Sequence, residues 1–193
     1  MKKYLFLNWK NYLSIEESRE LAGQLSALSV QSEQVDLAVF PTIAAFEDIQ
    51  EIGLKTGIQH FNEHEDGAFT GETTFKLVKE LNVPYSLVGH SERRVHFGET
   101  NEQVAQKVKL LIEAGITPII CFGENANQRE AGETQAVIEE QIKIATKGVD
   151  LSKVILAYEP VWAISSFGGT KSANFDDVEA IATFIHRQFD VVK

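Results

Sequence analysis

The chain has 193 residues, of which 44% are hydrophobic and 24% are charged, so it is long enough to form one compact domain with a substantial core. Its 18 Lys and Arg against 28 Asp and Glu give a formal net charge of −10, which disfavours nucleic acid as a partner. The single cysteine excludes a disulfide framework within the chain, and no apolar run approaches the roughly 18 residues of a membrane span. The composition therefore predicts a soluble, cytoplasmic, globular protein with no membrane partner.

The first half of the chain alternates short apolar runs with polar stretches. Runs rich in β-branched and aromatic residues predict strands at residues 4–7, 37–40, 58–61 and 85–88. Several are apolar throughout, as is typical of strands buried on both faces. Ser14 and Thr73 precede stretches of helical spacing and are candidate N-caps.

The second half continues this alternation, with predicted strands at residues 118–122 and 154–158. Thr100 and Asn174 are candidate N-caps, and Gly115 is a candidate C-cap. Lys107 is predicted to lie off the apolar helix face that precedes Gly115. The residues predicted on apolar helix faces are, in chain order, Val104, Val108, Leu111 and Ile112; then Ala136, Ile138, Ile142 and Ala145; then, within residues 176–192, Val178, Ile181, Phe184 and Ile185.

Six strand–helix units predict a parallel sheet covered by helices and joined by right-handed crossovers. Two architectures fit this pattern, an open doubly wound sheet and a barrel. An eight-unit barrel needs about 250 residues and rarely fewer than about 200, whereas six units leave about 32 residues each in this chain. The pattern alone therefore predicts an α/β fold of six units, with parallel strands and outer helices.

Polar side chains follow the predicted strands at their C-terminal ends, where parallel βα folds carry their functional groups. Asn8 and Lys10 follow the first strand, Gln59 lies in the third, His90 follows the fourth and Glu159 follows the sixth. This set favours proton abstraction beside a polarised carbonyl. Glu159 would be the base, His90 the hydrogen-bond donor to the oxygen, and Lys10 a fixed positive charge near an anionic substrate.

Each of these residues also has a simpler interpretation. A glutamate that ends a strand is usually solvated or ion-paired, a histidine beside a helix start is often a cap, and most lysines are surface charges. The joint placement of His90, Glu159 and Lys10 favours function for all three. Arg94 we interpret as part of a solvated first helical turn.

Three further features are interpreted as structural. His60 and His64 lie four residues apart, but Gly67 and the acidic residues around them predict a loop rather than a zinc-binding helix, so no metal site is predicted. Cys121 lies in an apolar strand, which predicts a buried and inert thiol. The glycine-rich residues 168–171 lack the spacing of a phosphate-binding P-loop.

Five segments carry distinctive motifs. They are Asn-Trp-Lys at residues 8–10, Gly-Ala-Phe-Thr-Gly-Glu at 67–72, Val-Gly-His-Ser-Glu-Arg-Arg at 88–94, Cys-Phe-Gly-Glu at 121–124 and Ala-Tyr-Glu-Pro-Val-Trp-Ala-Ile at 157–164. Together they resemble the signatures of the triosephosphate isomerase family, in the family's order and at compatible spacing over nearly the whole chain. The motifs around residues 90 and 159 are highly specific.

The resemblance implies a TIM-barrel enzyme that interconverts dihydroxyacetone phosphate and glyceraldehyde 3-phosphate without a cofactor, in glycolysis and gluconeogenesis. Glu159 would move the proton between the two carbons, and His90 would be a neutral imidazole that polarises the carbonyl. Asn8, Lys10 and Ser165 would contact this small phosphorylated three-carbon substrate.

The resemblance also assigns supporting roles. Glu92 would support His90 and Glu159 without touching the substrate. The segment after Trp162 would be a lid that excludes water. Thr70, in the loop at residues 67–72, would reach toward the site of a partner subunit, which implies a homo-oligomer, either a dimer or a larger assembly.

The chain departs from the family pattern in three ways. The family has eight βα units and this chain has six, so we expect a single truncated TIM-barrel domain over residues 1–193, an incomplete (βα)6 barrel. The glycine turns after strands seven and eight, which hold the substrate phosphate in the family, have no counterpart. Residues 165–171 make the lid three residues longer than the family's. We therefore expect a weakened isomerase.

Alternatives remain open at this point. The exposed edges of strands one and six are expected to close on each other or to pair between chains, giving an oligomer; alternatively, a separate polypeptide supplies strands seven and eight. A catalytically inactive homologue with a structural or binding role is the second functional reading. An open flavodoxin-like sheet that binds another phosphate ligand ranks last, because no glycine-rich turn follows the first strand.

Overall fold

Six strands, each followed by at least one helix, alternate along the part of the chain that the structure describes. This computed structural model describes residues 3–29, 35–169 and 172–189. The strands follow one another in chain order in the sheet and pair in parallel. The predicted fold class, α/β with the parallel (βα)6 units of an incomplete TIM barrel, is confirmed.

The first of two compact units comprises residues 1–87 and 114–116. β1 pairs with β2 from Lys3 opposite Val35 to Asn8 opposite Phe40, so the two strands end level with each other. Its elements are β1 (Lys3–Asn8), α1 (Ile15–Ser29), β2 (Val35–Phe40), a short 3-10 helix (Ile43–Ala45), α2 (Phe46–Glu51), β3 (Lys55–Ile58), α3 (Phe75–Glu80) and β4 (Tyr85–Val88), whose last residue falls in the second unit.

The core of this first unit lies between the strands and their first two helices. Partly buried leucines from β1, α1 and β2 pack around it, and burying each large side chain stabilises the unit by about 1.5–3 kcal/mol. The buried members are Trp9, Ala22, Val39, Ala45, Ile49 and Leu54.

β3 lies three residues earlier than the sequence predicts, at Lys55–Ile58 instead of 58–61. Gly57 has no side chain where the ring of Phe40 approaches, since a Cβ there would meet Phe40 Cε1 at 2.2 Å. Phe61 is buried because its ring packs 5.5 Å from that of Phe75, within the loop after β3. The hydrophobic character of Phe61 therefore reflects packing within this loop and does not indicate a strand.

Three of the four predicted N-caps are confirmed. The Ser14, Thr100 and Asn174 side chains accept the backbone N–H three residues on, at 3.2, 3.2 and 2.9 Å. Thr73 is wrong by one position, because its carbonyl accepts the Asn62 N–H and the adjacent Thr74 caps α3 instead.

The second unit comprises residues 88–113 and 117–193. Its core is formed by Phe122, Ile138, Ile142, Ile181 and Ile185. Its elements are α4 (Ser91–Phe97), α5 (Asn101–Glu113), β5 (Thr117–Phe122), α6 (Ala126–Glu130), α7 (Thr134–Ala145), β6 (Ile155–Tyr158) and α8 (Phe175–Phe189), with short 3-10 helices at Leu151–Lys153, Val161–Ala163 and Ser165–Phe167.

The predicted helix faces are largely buried, with three differences. Lys107 is 2% exposed rather than off the buried face of α5, because it forms an ion pair with the buried Glu99. Ala136 is exposed in the first turn of α7, and Val178 is 44% exposed in α8. Residues 190–192 of the predicted last helix lie outside the described residues.

Gly115, the predicted C-cap, has a φ of 74°, the left-handed conformation that helix ends favour. In the parts of the chain that the structure describes, no helix combines the length and the apolar character needed to cross a bilayer.

Candidate active site

The imidazole of His90 and the carboxylate of Glu159 are in direct contact. Their side chains meet with His90 Nε2 2.8 Å from Glu159 Oε1, and they are 12% and 17% exposed. His90 comes two residues after β4 and Glu159 directly after β6, so both leave the C-terminal ends of strands as the sequence predicts. This contact is the centre of the candidate site.

His90 is held by the helix that it begins. It is the N-cap of α4, where its Nδ1 accepts the Glu92 N–H at 3.3 Å and its carbonyl accepts the N–H groups of Arg93 and Arg94. An Nδ1 that accepts a hydrogen bond carries no proton, so the network assigns the proton of a neutral ring to Nε2. The ring therefore directs its N–H at Glu159. The Glu92 carboxylate lies 3.8 Å from Nδ1.

Glu159 is held by β5 and by the first residue of α4. Its backbone N–H donates to Phe122 O at 2.8 Å, and its Oε2 accepts the Ser91 N–H at 2.9 Å. Gly123 lies so close to this backbone that a Cβ on it would stand 1.7 Å from Glu159 O. The position of Glu159 thus requires glycine at residue 123.

Burial also shifts the ionisation of groups around the Glu159 carboxylate. Burial is the main cause that raises the pKa of the Cys121 thiol well above its ordinary value, and the negative charge of Glu159 raises it further. Cys121 is therefore an un-ionised and poorly nucleophilic thiol, as predicted. Burial likewise lowers the pKa of the Arg94 guanidinium, although Glu99 and Glu159 oppose that change.

Arg94 is not part of a solvated helical turn. Its Nε donates to Gly89 O at 2.7 Å and its Nη1 to Asn101 Oδ1 at 2.6 Å. The interpretation from sequence was wrong because the partners of Arg94 lie in the preceding turn and in α5, which a local pattern does not show.

Asn8 and Lys10 lie together in the first unit, at the end of β1. Lys10 has a φ of 51°, and its N–H donates to Asn8 Oδ1 at 2.9 Å. Gln59 donates through Nε2 to the carbonyls of Lys10 and Phe40, at 2.7 and 2.8 Å. A non-glycine residue in the left-handed region is uncommon and costs free energy, so this turn is held in place by the asparagine and the glutamine.

Ser165 and Thr70 lie on exposed loops. Ser165 begins the 3-10 helix Ser165–Phe167 after β6, and Thr70 lies in the loop between β3 and α3. Residues 170 and 171 of the predicted lid lie outside the described residues. The structure shows no side-chain contact of Ser165 or of Thr70 that would assign a role to either of these two residues.

A cleft of about 700 Å³ lies beside the segment that follows Trp162. The guanidinium of Arg129 stands 4.1 Å from the centre of the Trp162 ring and pairs with Asp177 at 2.5 Å and Glu124 at 3.4 Å. Two carboxylates offset the charge of Arg129, and the lining includes neither His90 nor Glu159. This cleft is therefore separate from the contact between His90 and Glu159.

His60 and His64, the two histidines that lie four residues apart, contact different side chains. His60 Nε2 lies 3.2 Å from Glu72 Oε2, whereas the His64 ring stacks on Phe69 at 4.3 Å. Among the described residues, no group of three or more His, Cys, Asp and Glu side chains is arranged to hold a metal ion.

Two contributors to the site were missed from the sequence: the backbone N–H of Ser91 and the close approach at Gly123. Ser91 and Glu159 are 68 residues apart, so no local pattern signals their contact. The sequence does contain a signal for Gly123, because a glycine directly after a predicted strand often marks a close approach between backbones.

A carboxylate in contact with a neutral imidazole can remove a proton from carbon and stabilise the oxygen that becomes negative as the proton leaves. A carboxylate in that role needs a hydrogen bond that fixes its position, and Glu159 accepts one from the Ser91 N–H. An imidazole in that role needs a fixed tautomer, and the Glu92 N–H fixes that of His90.

Comparison with known proteins agrees with this chemistry. The profile of the family described as triosephosphate isomerase matches residues 3–192. The chain is 40% identical to the triosephosphate isomerase of Mycoplasmopsis pulmonis, over 96% of this chain and 78% of that protein. Identity is 38% with the protein of the same name from Coxiella burnetii, over 94% and 74%. It is 34% with that from Dictyoglomus turgidum, over 96% and 76%. The chain belongs to the triosephosphate isomerase family.

Proposed function

We propose that the chain is a triose-phosphate isomerase, an enzyme that interconverts dihydroxyacetone phosphate and glyceraldehyde 3-phosphate by proton transfer. The observation that carries this proposal is the 2.8 Å contact between His90 Nε2 and Glu159 Oε1. Membership of the family supports it, as does the presence of relatives with that name.

In this mechanism the carboxylate of Glu159 takes a proton from the carbon next to the carbonyl of the substrate. The carbonyl oxygen becomes negative as the proton leaves, and His90 stabilises it through the Nε2–H that now points at Glu159. The hydroxyl on the carbon that lost its proton gives its own proton to the negative oxygen and becomes the new carbonyl, and Glu159 returns its proton to the former carbonyl carbon. A placed base contributes about 10²- to 10⁴-fold, and one oxyanion donor about 2.7–4 kcal/mol.

The remaining assigned residues complete this proposal. Asn8, Lys10 and Ser165 bind the substrate, with Lys10 offsetting the negative phosphate, and Glu92 supports His90. The motif resemblance supports these roles, together with the strained φ of 51° at Lys10. Residues 1–193 act as one domain in this proposal.

We extend the proposal to the setting of the reaction. Thr70 reaches a partner subunit of a homo-oligomer. The reaction serves glycolysis and gluconeogenesis in the cytoplasm and needs no cofactor. These statements rest on the resemblance to the family.

We further propose that a polypeptide of these 193 residues, assayed alone, is a weakened isomerase. The resemblance implies that the substrate phosphate is held largely by glycine turns that have no counterpart in this sequence. Binding energy from a remote phosphate contributes to the reaction at carbon, so losing it costs rate as well as affinity. We expect kcat/KM to lie orders of magnitude below that of a complete relative measured alongside.

A coupled isomerase assay of the chain beside Glu159→Gln tests the function. Glutamine keeps the size of the side chain but cannot take the proton, so we expect kcat to fall about 10²- to 10⁴-fold. Glu113→Gln, the same change at an exposed carboxylate, is the matched control and should retain the original rate. Equal rates for the original chain and Glu159→Gln would contradict the proposal and favour the inactive homologue.

A further inference from the structure

The residue before the candidate catalytic histidine has an unusual backbone conformation. Gly89 has a φ of +71°, and a Cβ at this position would meet Arg94 Nη2 at 2.6 Å, Cys121 O at 3.1 Å and Val104 Cγ2 at 3.1 Å. Only glycine adopts this conformation without strain. The turn at Gly89 sets the direction in which the chain enters His90.

Two charged side chains hold the peptide groups on both sides of Gly89. Its N–H donates to Glu99 Oε2 at 3.0 Å, and its carbonyl accepts from Arg94 Nε at 2.7 Å. The carbonyl belongs to the peptide that joins Gly89 to His90. The acceptor Glu99 therefore fixes the peptide group before Gly89, and the donor Arg94 fixes the peptide group after it.

Glu99 is itself fixed in place. It is 8% exposed, and its second oxygen, Oε1, pairs with Lys107, which is 2% exposed. A buried carboxylate without a cation would be strongly destabilising, so the ion pair with Lys107 stabilises Glu99 in its position beside Gly89. The first turn of α5 adds Asn101, which accepts from Arg94 Nη1 at 2.6 Å.

This arrangement matters for the reaction because His90 must direct one nitrogen at a small target. A displacement of about 1 Å in a catalytic group can cost about 10²-fold in rate. The Glu92 N–H fixes the tautomer of His90, but it does not fix the direction in which the backbone enters His90. That direction is set by Gly89, which Glu99 and Arg94 hold in place.

We propose that Glu99, together with Arg94, is a positioning residue for His90 and acts by fixing the peptide groups of Gly89. This inference rests on the proposed isomerase function for its kinetic readout. It concerns residues to which the sequence motifs assign no part in the reaction.

The test compares two double variants of the full chain that both remove the buried charge pair. In E99Q/K107M the glutamine oxygen still accepts the Gly89 N–H, whereas in E99M/K107M nothing does. We expect E99Q/K107M to retain most of the kcat, and E99M/K107M to fall about 10-fold or more below it with little change in KM. Equal kcat values for the two folded variants would overturn the proposal.

A second readout does not depend on activity. Side-chain nitrogen NMR of the five histidines, with His90→Asn to assign the His90 signals, reports the tautomer and order of the ring. We expect a single Nε2–H tautomer in the original chain and in E99Q/K107M, and an averaged ring in E99M/K107M. Unchanged ring signals in E99M/K107M would overturn the proposal, even if its kcat fell.

The two readouts separate this inference from the proposed function. If the original chain is no faster than Glu159→Gln, the isomerase function fails, and the ring signals alone decide whether Glu99 positions His90. If circular dichroism shows that E99M/K107M does not fold, Arg94→Lys takes its place, since lysine keeps the charge but lacks the Nε–H that Gly89 accepts. Arg94→Lys with the original kcat and ring signals would then overturn the proposal.

Discussion

Glu159 reaches His90 because Gly123, which directly follows β5, has no side chain where the backbone comes nearest to the residue that follows β6. A Cβ on Gly123 would stand 1.7 Å from Glu159 O and 2.8 Å from its carbonyl carbon. Both are backbone atoms, so no rotation of a flexible side chain could relieve the contact. The position of Glu159 therefore depends on residue 123 having no side chain.

We expect Gly123→Ala to lower kcat at least 10-fold, because Glu159 must shift away from His90, and to destabilise the chain by about 1–3 kcal/mol. Steady-state kinetics and urea unfolding measure the two effects. A Gly123→Ala chain with the original kcat would show that the approach at Gly123 does not place Glu159.

Gly23→Ala is the matched control. Gly23 is exposed within α1, and a Cβ there would meet nothing within 4 Å. Replacing this helical glycine should stabilise the chain by about 0.5–1 kcal/mol and leave the rate unchanged.

At the residue scale, the sequence predicts candidate side chains for the reaction but not the groups that hold them. His90, Glu159 and Lys10 are candidates because reactive residue types follow predicted strands. The groups that hold these side chains cannot be predicted in the same way. The N–H of Ser91 is a backbone group that nearly every residue has, and its partner Glu159 is 68 residues away. Lys107 was placed on the solvent side for the same reason: charge alone does not reveal a buried counter-ion at Glu99.

At the scale of elements, one buried carboxylate links three strands of the first unit. Asp36 of β2 is 3% exposed, and its Oδ1 accepts from Lys55 of β3 at 2.6 Å. Its Oδ2 accepts from the hydroxyl of Tyr85 of β4 at 3.0 Å. A buried carboxylate is stable only when such partners replace water.

The hydroxyl of Tyr85 makes this link sensitive to alkaline pH. Burial, followed by the hydrogen bond to Asp36, raises the pKa of Tyr85 from 10.0 to about 12. Folding therefore favours the neutral phenol. Its stabilising contribution is complete below pH 10, where the unfolded tyrosine titrates, and is lost as the pH rises toward about 12.

We expect Tyr85→Phe to lower the free energy of unfolding by about 1.5–3 kcal/mol at pH 7, because Asp36 loses a hydrogen bond. The difference between the original chain and Tyr85→Phe should stay constant up to pH 9 and shrink toward pH 12. Urea unfolding across this range measures it. Tyr12→Phe, a change at a side chain that is 76% exposed, should alter stability by no more than about 0.5 kcal/mol. A difference that is the same at pH 7 and pH 12 would refute the role of the Tyr85 hydroxyl.

Helices and strands could be predicted where hydrophobic periodicity reflects the buried core. They were misplaced where apolar residues pack within a loop instead. α5 and α7 were found from their buried stripes, such as Val104 and Ile138. β3 was misplaced because its own residues, Lys55–Ile58, include a lysine and a glycine, whereas the more apolar Phe61 belongs to a loop core. Ion pairing at Lys55 and close packing at Gly57 thus override the hydrophobic signal of a strand.

At the scale of the whole molecule, the uncovered strand β1 bears on the predicted homo-oligomer. In the described part of the chain β1 pairs with β2 alone, and Tyr4 and Leu5 are 48% and 47% exposed. Successive residues of a strand point to opposite faces, so both faces of its first half are open to water. An unpaired edge with apolar side chains on both faces favours pairing with another chain.

We therefore expect sedimentation or light scattering to give a dimer or a larger assembly of the 193-residue chain. Leu5→Lys should shift that assembly toward the monomer at low protein concentration, since a charge on an edge strand opposes pairing. Leu77→Lys, on α3 and 37% exposed, makes the same change away from the edge and should leave the assembly intact. A stable monomer of the original chain would contradict the predicted homo-oligomer. An assembly weakened equally by both variants would mean that the chains associate by a surface other than β1.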